Sequence, residues 1–91
     1  MVGVETRFRA TEGRVAAANG LDVQERWVDL ALPPVRVRVL ESGTGDPVLF
    51  INGISAPGIA MAPLAGRLPG HRLLLIDLPG HGLSPPYLWQ G

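Results

Sequence analysis

The sequence predicts an α/β fold: a short N-terminal helix, an antiparallel strand pair and then a parallel βαβ unit. Three observations lead there. Two unbroken apolar runs, Val48-Leu49-Phe50-Ile51 and Leu73-Leu74-Leu75-Ile76, read as strands apolar on both faces, the pattern of a parallel sheet covered by helices on each side. Between them Met61, Leu64, Ala65 and Leu68 fall at i, i+3, i+4 and i+7, one apolar stripe of a helix. Upstream, two stretches alternate with period two, which turns one side of each strand to a core and the other to water. With 91 residues, 46% of them hydrophobic and 18% charged, the chain is one small globular domain or a piece of one, and neither disordered nor collagen-like.

Taken in order, residues 5–19 form a weak helix, with Phe8 and Val15 one heptad apart and Ala16 and Ala18 beside them. Asn19-Gly20 is its stop, because glycine takes the left-handed conformation that closes a helix. Gly13 inside it costs about 1 kcal/mol relative to Ala. Residues 1–22 are thus an N-terminal helical segment and residues 23–91 the α/β part. In residues 26–32, Val28, Leu30 and Leu32 alternate with Trp27, Asp29 and Ala31; in residues 35–40, Val35, Val37 and Val39 alternate with Arg36, Arg38 and Leu40. Pro33-Pro34 turns the chain between them and cannot donate to a ladder, so an antiparallel pair is the simplest arrangement. Arg36 and Arg38 read as a solvated face, not an anion site, since acids are as numerous as arginines. A turn at residues 42–47 precedes the βαβ unit. Its length fits the roughly 30 residues such a unit needs, and its crossover is expected to be right-handed. Pro69-Gly70 ends the crossover helix, in which Met61 is core filler.

Several function classes drop out. Eight arginines, no lysine and eight acids give zero net charge, whereas a nucleic-acid binder needs a basic excess to displace counterions. Zero cysteine removes disulfides, thiolate zinc sites and a thiol nucleophile. No apolar run approaches the roughly 20 residues that span a bilayer, and residues 1–14 carry no apolar core of a secretion signal. A cytoplasmic protein with no membrane partner is the expectation. Gly80-His81-Gly82 lacks the third glycine of a dinucleotide fingerprint, and Pro85-Pro86 blocks the helix that should follow. Gly43-Thr44-Gly45-Asp46 lacks the Lys-Ser/Thr of a phosphate loop and precedes a strand. No cofactor and no metal are expected.

In open α/β sheets, sites form beyond the carboxyl ends of the strands. Two loops lie there: Asn52-Gly53-Ile54-Ser55-Ala56-Pro57-Gly58 and Asp77-Leu78-Pro79-Gly80-His81-Gly82-Leu83-Ser84. An apolar strand ending in Asn52-Gly53, a short loop, a helix of the Ala-Pro-Leu-Ala type and then Leu-Ile-Asp-Leu-Pro-Gly-His-Gly-Leu-Ser resembles the α/β-hydrolase family. The likeness covers about half the chain, residues 37–85, and the second loop is its more specific part. It implies that the strands here are the first four of that fold. The Val48 and Leu73 strands then lie side by side, with the Val35 strand antiparallel beside the latter.

The resemblance also implies that the loop after the Val48 strand supplies half of an oxyanion hole. By position the donor is the backbone N–H of Ile54, with Gly53 bending the backbone away and leaving room for a small-molecule substrate. One such donor is worth about 3–4 kcal/mol of barrier. The chain departs from the family by Asn52 where histidine is usual and by Ile54, which has no side-chain donor and disfavours the haloalkane-dehalogenase branch. The family's triad runs Ser, Asp/Glu, His, with the serine in a G-x-S-x-G elbow. None of the three is found in these 91 residues.

Ser55 lies one residue short of an elbow pattern and reads as a loop or capping residue. Ser42 sits at the wrong end of the sheet. Ser84 is structural, His71 opens a strand away from the site, and His81 holds the shape of its loop or faces solvent. Asp77 is expected to accept N–H groups of the Pro79–Gly82 turn. The implied function is the N-terminal portion of a hydrolase of small ester-like, epoxide or amide substrates. Its missing C-terminal part would carry the nucleophile, acid and histidine, and the 91 residues alone would be inactive. The alternative is a non-catalytic remnant or interaction module.

Overall fold

A computed structural model describes residues 2–31, 34–51 and 56–86. Helix α1 (Val2–Ala18) leads into strand β1 (Gln24–Leu30), strand β2 (Val35–Ser42) and strand β3 (Asp46–Ile51). A 3₁₀ turn (Gly58–Met61) then runs directly into one turn of helix, α2 (Ala62–Ala65), followed by strand β4 (His71–Asp77). The strands form one sheet in the order β1-β2-β4-β3. β1 and β2 are antiparallel, as are β2 and β4, while β3 and β4 are parallel. The expected mixed α/β sheet and its neighbours are all present. Among the described residues, no helix is long and apolar enough to cross a membrane.

Gly20 ends α1 as its sequence position predicts. At φ 70° it lets its own N–H reach the Ala17 carbonyl and the Leu21 N–H reach the Ala16 carbonyl, at 3.1 and 2.9 Å. That bonding pattern satisfies helix-end carbonyls and brings an apolar residue beyond the cap back onto the last turn. Leu21 and Ala16 accordingly share the core.

The register sorts the sheet into two faces. Directly paired residues share a face, so Arg38, Leu40, Ser42, Leu73, Leu75 and Asp77 lie on one side with Val48 and Phe50. Ala16 of α1, Ile59 of the 3₁₀ turn and Ala62 and Ala65 of α2 pack there against Leu40, Phe50, Leu73 and Leu75. Both helices therefore cover the same, inner face. Helices on each side were expected, but the single crossover between β3 and β4 can shield only one face, and α1 docks on that face too.

The outer face, with Val28, Leu30, Leu49 and Ile51, carries no helix among the described residues. Leu49 is 53% and Ile51 60% exposed. β1 is correspondingly exposed along its length, with only Trp27 half-buried, so the core role expected for Val28 and Leu30 is not met. Leu32 and Pro33 lie outside the described residues.

The crossover also corrects the expected stripe. Ile59, Ala62 and Ala65 are buried, Met61 and Leu68 pack at the margin of the core, and Leu64 is 52% exposed. The segment starts as a 3₁₀ turn with three residues per turn, so its inward positions recur every third residue and Leu64 turns outward.

Candidate functional site

The carboxyl ends of β3 and β4 open on the two loops singled out above. Asn52, Gly53, Ile54 and Ser55 lie outside the described residues, and with them the expected oxyanion donor. Ala56 and Pro57 lead into the 3₁₀ turn, which begins at Gly58.

Asp77, the last residue of β4 and 1% exposed, joins the two loops. Its Oδ1 accepts the Gly58 N–H at 2.7 Å and its Oδ2 the Leu83 N–H at 3.0 Å. The expected turn-holding role is thus found at Leu83, one residue past the Pro79–Gly82 turn, and extends to the other loop. Gly82, at φ 52°, passes so close to the Asp77 carboxylate that a Cβ would overlap it; only glycine fits both constraints.

Ser84 is structural, as expected. Its hydroxyl donates to the Asp77 carbonyl at 2.6 Å and accepts the Arg38 N–H at 2.8 Å, tying the loop back to β2. Within the loop the His81 N–H donates to the Leu78 carbonyl at 2.8 Å, and the His81 Nδ1 lies 3.1 Å from the Pro79 carbonyl oxygen. His81 is half-buried. His71 opens β4 at the far end of the sheet, as expected.

The largest departure from the sequence reading is Arg38. Arg36 is solvated, pairing with Asp29 at 3.4 Å and stacking over Trp27. Arg38, two residues on, is 1% exposed. Its Nη1 and Nη2 grip both oxygens of Glu12 at 2.7 and 2.6 Å, its Nε holds Glu25 at 2.6 Å, and its Nη1 also reaches Asp77 at 3.2 Å. β2 is an interior strand and α1 lies over its inner face, so a side chain at this position has no route to water.

A buried guanidinium is tolerated only with partners for its fork of donors, and three protein carboxylates supply them. Nor is it an anion site: its fork is occupied from within the chain. Burial lowers the Arg38 pKa and the hydrogen bonds it donates to Glu12, Glu25 and Asp77 raise it more, for a net upward shift. Desolvation works against ionised Glu25, but Arg38, Arg9 and the Trp27 indole N–H outweigh it and bring its carboxyl down to about 2. Sequence reasoning missed Glu12 and Glu25 as well. The available signal was positional: an arginine on the strand expected to lie between two others, opposite an aspartate.

At the opposite end of the sheet an open cavity of about 570 Å³ lies between the cap of α1 (Gly20, Asp22) and the β2–β3 turn (Ser42, Gly43, Thr44). Of the two carboxylates on its wall, Asp22 and Glu41, Glu41 is engaged by Arg26 and Arg72, each at 3.1 Å.

Among the described residues, the geometry assembles no nucleophile with an adjacent base. What it builds is a rigid floor: two loop segments and an interior strand fixed to one buried carboxylate. No family model, no curated protein and no solved structure matches this chain.

Proposed function

We propose that the chain is the N-terminal, oxyanion-loop portion of an α/β-hydrolase acting on small ester-like, epoxide or amide substrates by nucleophilic catalysis, with no organic cofactor or metal. The observation that carries this is a coincidence of topology and motif. The order β1-β2-β4-β3 places the end of β3 beside the end of β4, and Asp77 bonds a residue from each of the two loops that follow. In this reading the Ile54 N–H faces the developing oxyanion, where a main-chain dipole held in place before the reaction lowers the barrier. Gly53 gives it room. Asp77 serves as a structural acid, because both its oxygens are taken by protein donors. The nucleophile, triad acid and histidine belong to a C-terminal part.

The reading frame beyond codon 91 tests the proposal. An in-frame apolar strand followed by G-x-S-x-G, or by the same elbow centred on aspartate, is the expected result; a stop codon at that point overturns it. The 91 residues alone are expected to remain unlabelled by a fluorophosphonate, and covalent labelling would place a nucleophilic serine within them. The exposed apolar residues Leu49 and Ile51 on β3 favour a second reading, a non-catalytic interaction module, which a genuine stop codon would support.

A further inference from the structure

Helix α1 is attached in an unusual way. Its buried described side chains are Glu12 and Ala16, and most of the others are exposed. The centre of its docked face is therefore a carboxylate, gripped through both oxygens by Arg38. Arg38 in turn touches Asp77, whose two oxygens hold Gly58 and Leu83, one from each loop at the candidate site. Ser84 closes a second link between the Arg38 backbone and that of Asp77.

We propose that Arg38, oriented by Glu12, is a positioning residue for the loop segments that Asp77 holds, so that docking of α1 sets the geometry of residues 56–61 and 78–84. The physical reason is competition for one guanidinium. Glu12 takes two of its donors and Glu25 a third, which fixes the plane of the fork and leaves an Nη1 N–H directed at Asp77. Without Glu12 the fork is free to turn toward Glu25, and Asp77 loses its charged partner while still holding two loop amides. A buried, charged hydrogen bond of this kind shifts local opening equilibria by roughly ten- to hundredfold. This inference deepens the hydrolase reading, on which only its functional meaning rests; the coupling itself is a property of the fold.

Hydrogen exchange followed by mass spectrometry tests it on the intact chain. In Glu12→Gln, exchange of the segments 56–61 and 78–84 is expected to accelerate roughly ten- to hundredfold, with the β1–β2 hairpin unchanged. Glu5→Gln, on the exposed side of α1, is expected to leave both segments as they were. Faster exchange confined to residues 2–18 would mean that Glu12 merely holds its own helix. A uniform rise over the whole chain would mean general destabilisation. Either result overturns the proposal.

Should Glu12→Gln fail to fold, native-state exchange of the unaltered chain under increasing urea decides instead. α1 and the two loop segments are expected to open as one unit, and separate opening refutes the link. A gene lacking a catalytic elbow would end the hydrolase proposal and leave these exchange results standing.

Discussion

On the inner face of the sheet Leu75 and Ala62 have no contact with solvent, and a guanidinium lies buried among three carboxylates. On the outer face, one sheet thickness away, Leu49 and Ile51 keep more than half their surface in water. The two faces have similar apolar content in β3 and β4, since both strands are hydrophobic runs. What separates them is cover: α1, the 3₁₀ turn and α2 all lie on one side. Leu49 and Ile51 therefore gain little from burial where no second layer removes them from water, although Val37 and Val39 of the interior strand β2 are buried on that same face, and charged residues can be interior wherever a covering layer brings partners.

The contrast yields measurable differences. The largest is at Arg38: Arg38→Met leaves Glu12 and Asp77 buried without their cation, and urea melts at neutral pH should show a loss of about 3–5 kcal/mol. Next comes a paired truncation. Leu75→Ala on the inner face should cost about 2–5 kcal/mol, whereas Leu49→Ala on the outer face should cost less than about 1 kcal/mol, as exposed substitutions do. Equal losses in the two variants would show that the outer face is covered in solution.

Acid sharpens the comparison on the charged side. Glu25 ionises at about 2 in the fold against an ordinary 4.5. Its contribution is fully present above pH 4.5 and is lost as the pH falls from there toward 2. Melts across that window should show the decline, reduced in Glu25→Gln. The smallest expected effect on folding is at the open edge. Leu49→Lys should leave the melt within about 0.5 kcal/mol yet reduce self-association in sedimentation, because charge on an edge strand discourages pairing with another copy.

Much of the inner architecture is legible along the chain. Gly20 as the end of α1, the antiparallel β1–β2 pair, the apolar runs of β3 and β4 and the structural part played by Asp77 all follow from local chemistry: a left-handed glycine, alternation, uninterrupted hydrophobicity, a carboxylate at a strand end before a glycine-rich turn. Leu64 faces outward because the crossover enters its single α-helical turn through a 3₁₀ turn, which rotates the stripe expected of one continuous α-helix. Val28 and Leu30 were misplaced because alternation says that one side of a strand is apolar, not that anything covers it. Of the candidate site, the Asp77 loop was readable and the partners of its carboxylate were not. Gly58, Leu83 and Arg38 are 19, 6 and 39 residues away from it in sequence.

By itself the sequence determined the strands, their turns and the mixed α/β character, since each depends on neighbours a few positions apart. Only the tertiary structure decided which face is core and that Arg38 is inside it. Burial is a property of what packs across the sheet. A guanidinium is solvated or buried according to whether distant carboxylates, here Glu12, Glu25 and Asp77, are carried to it by the fold.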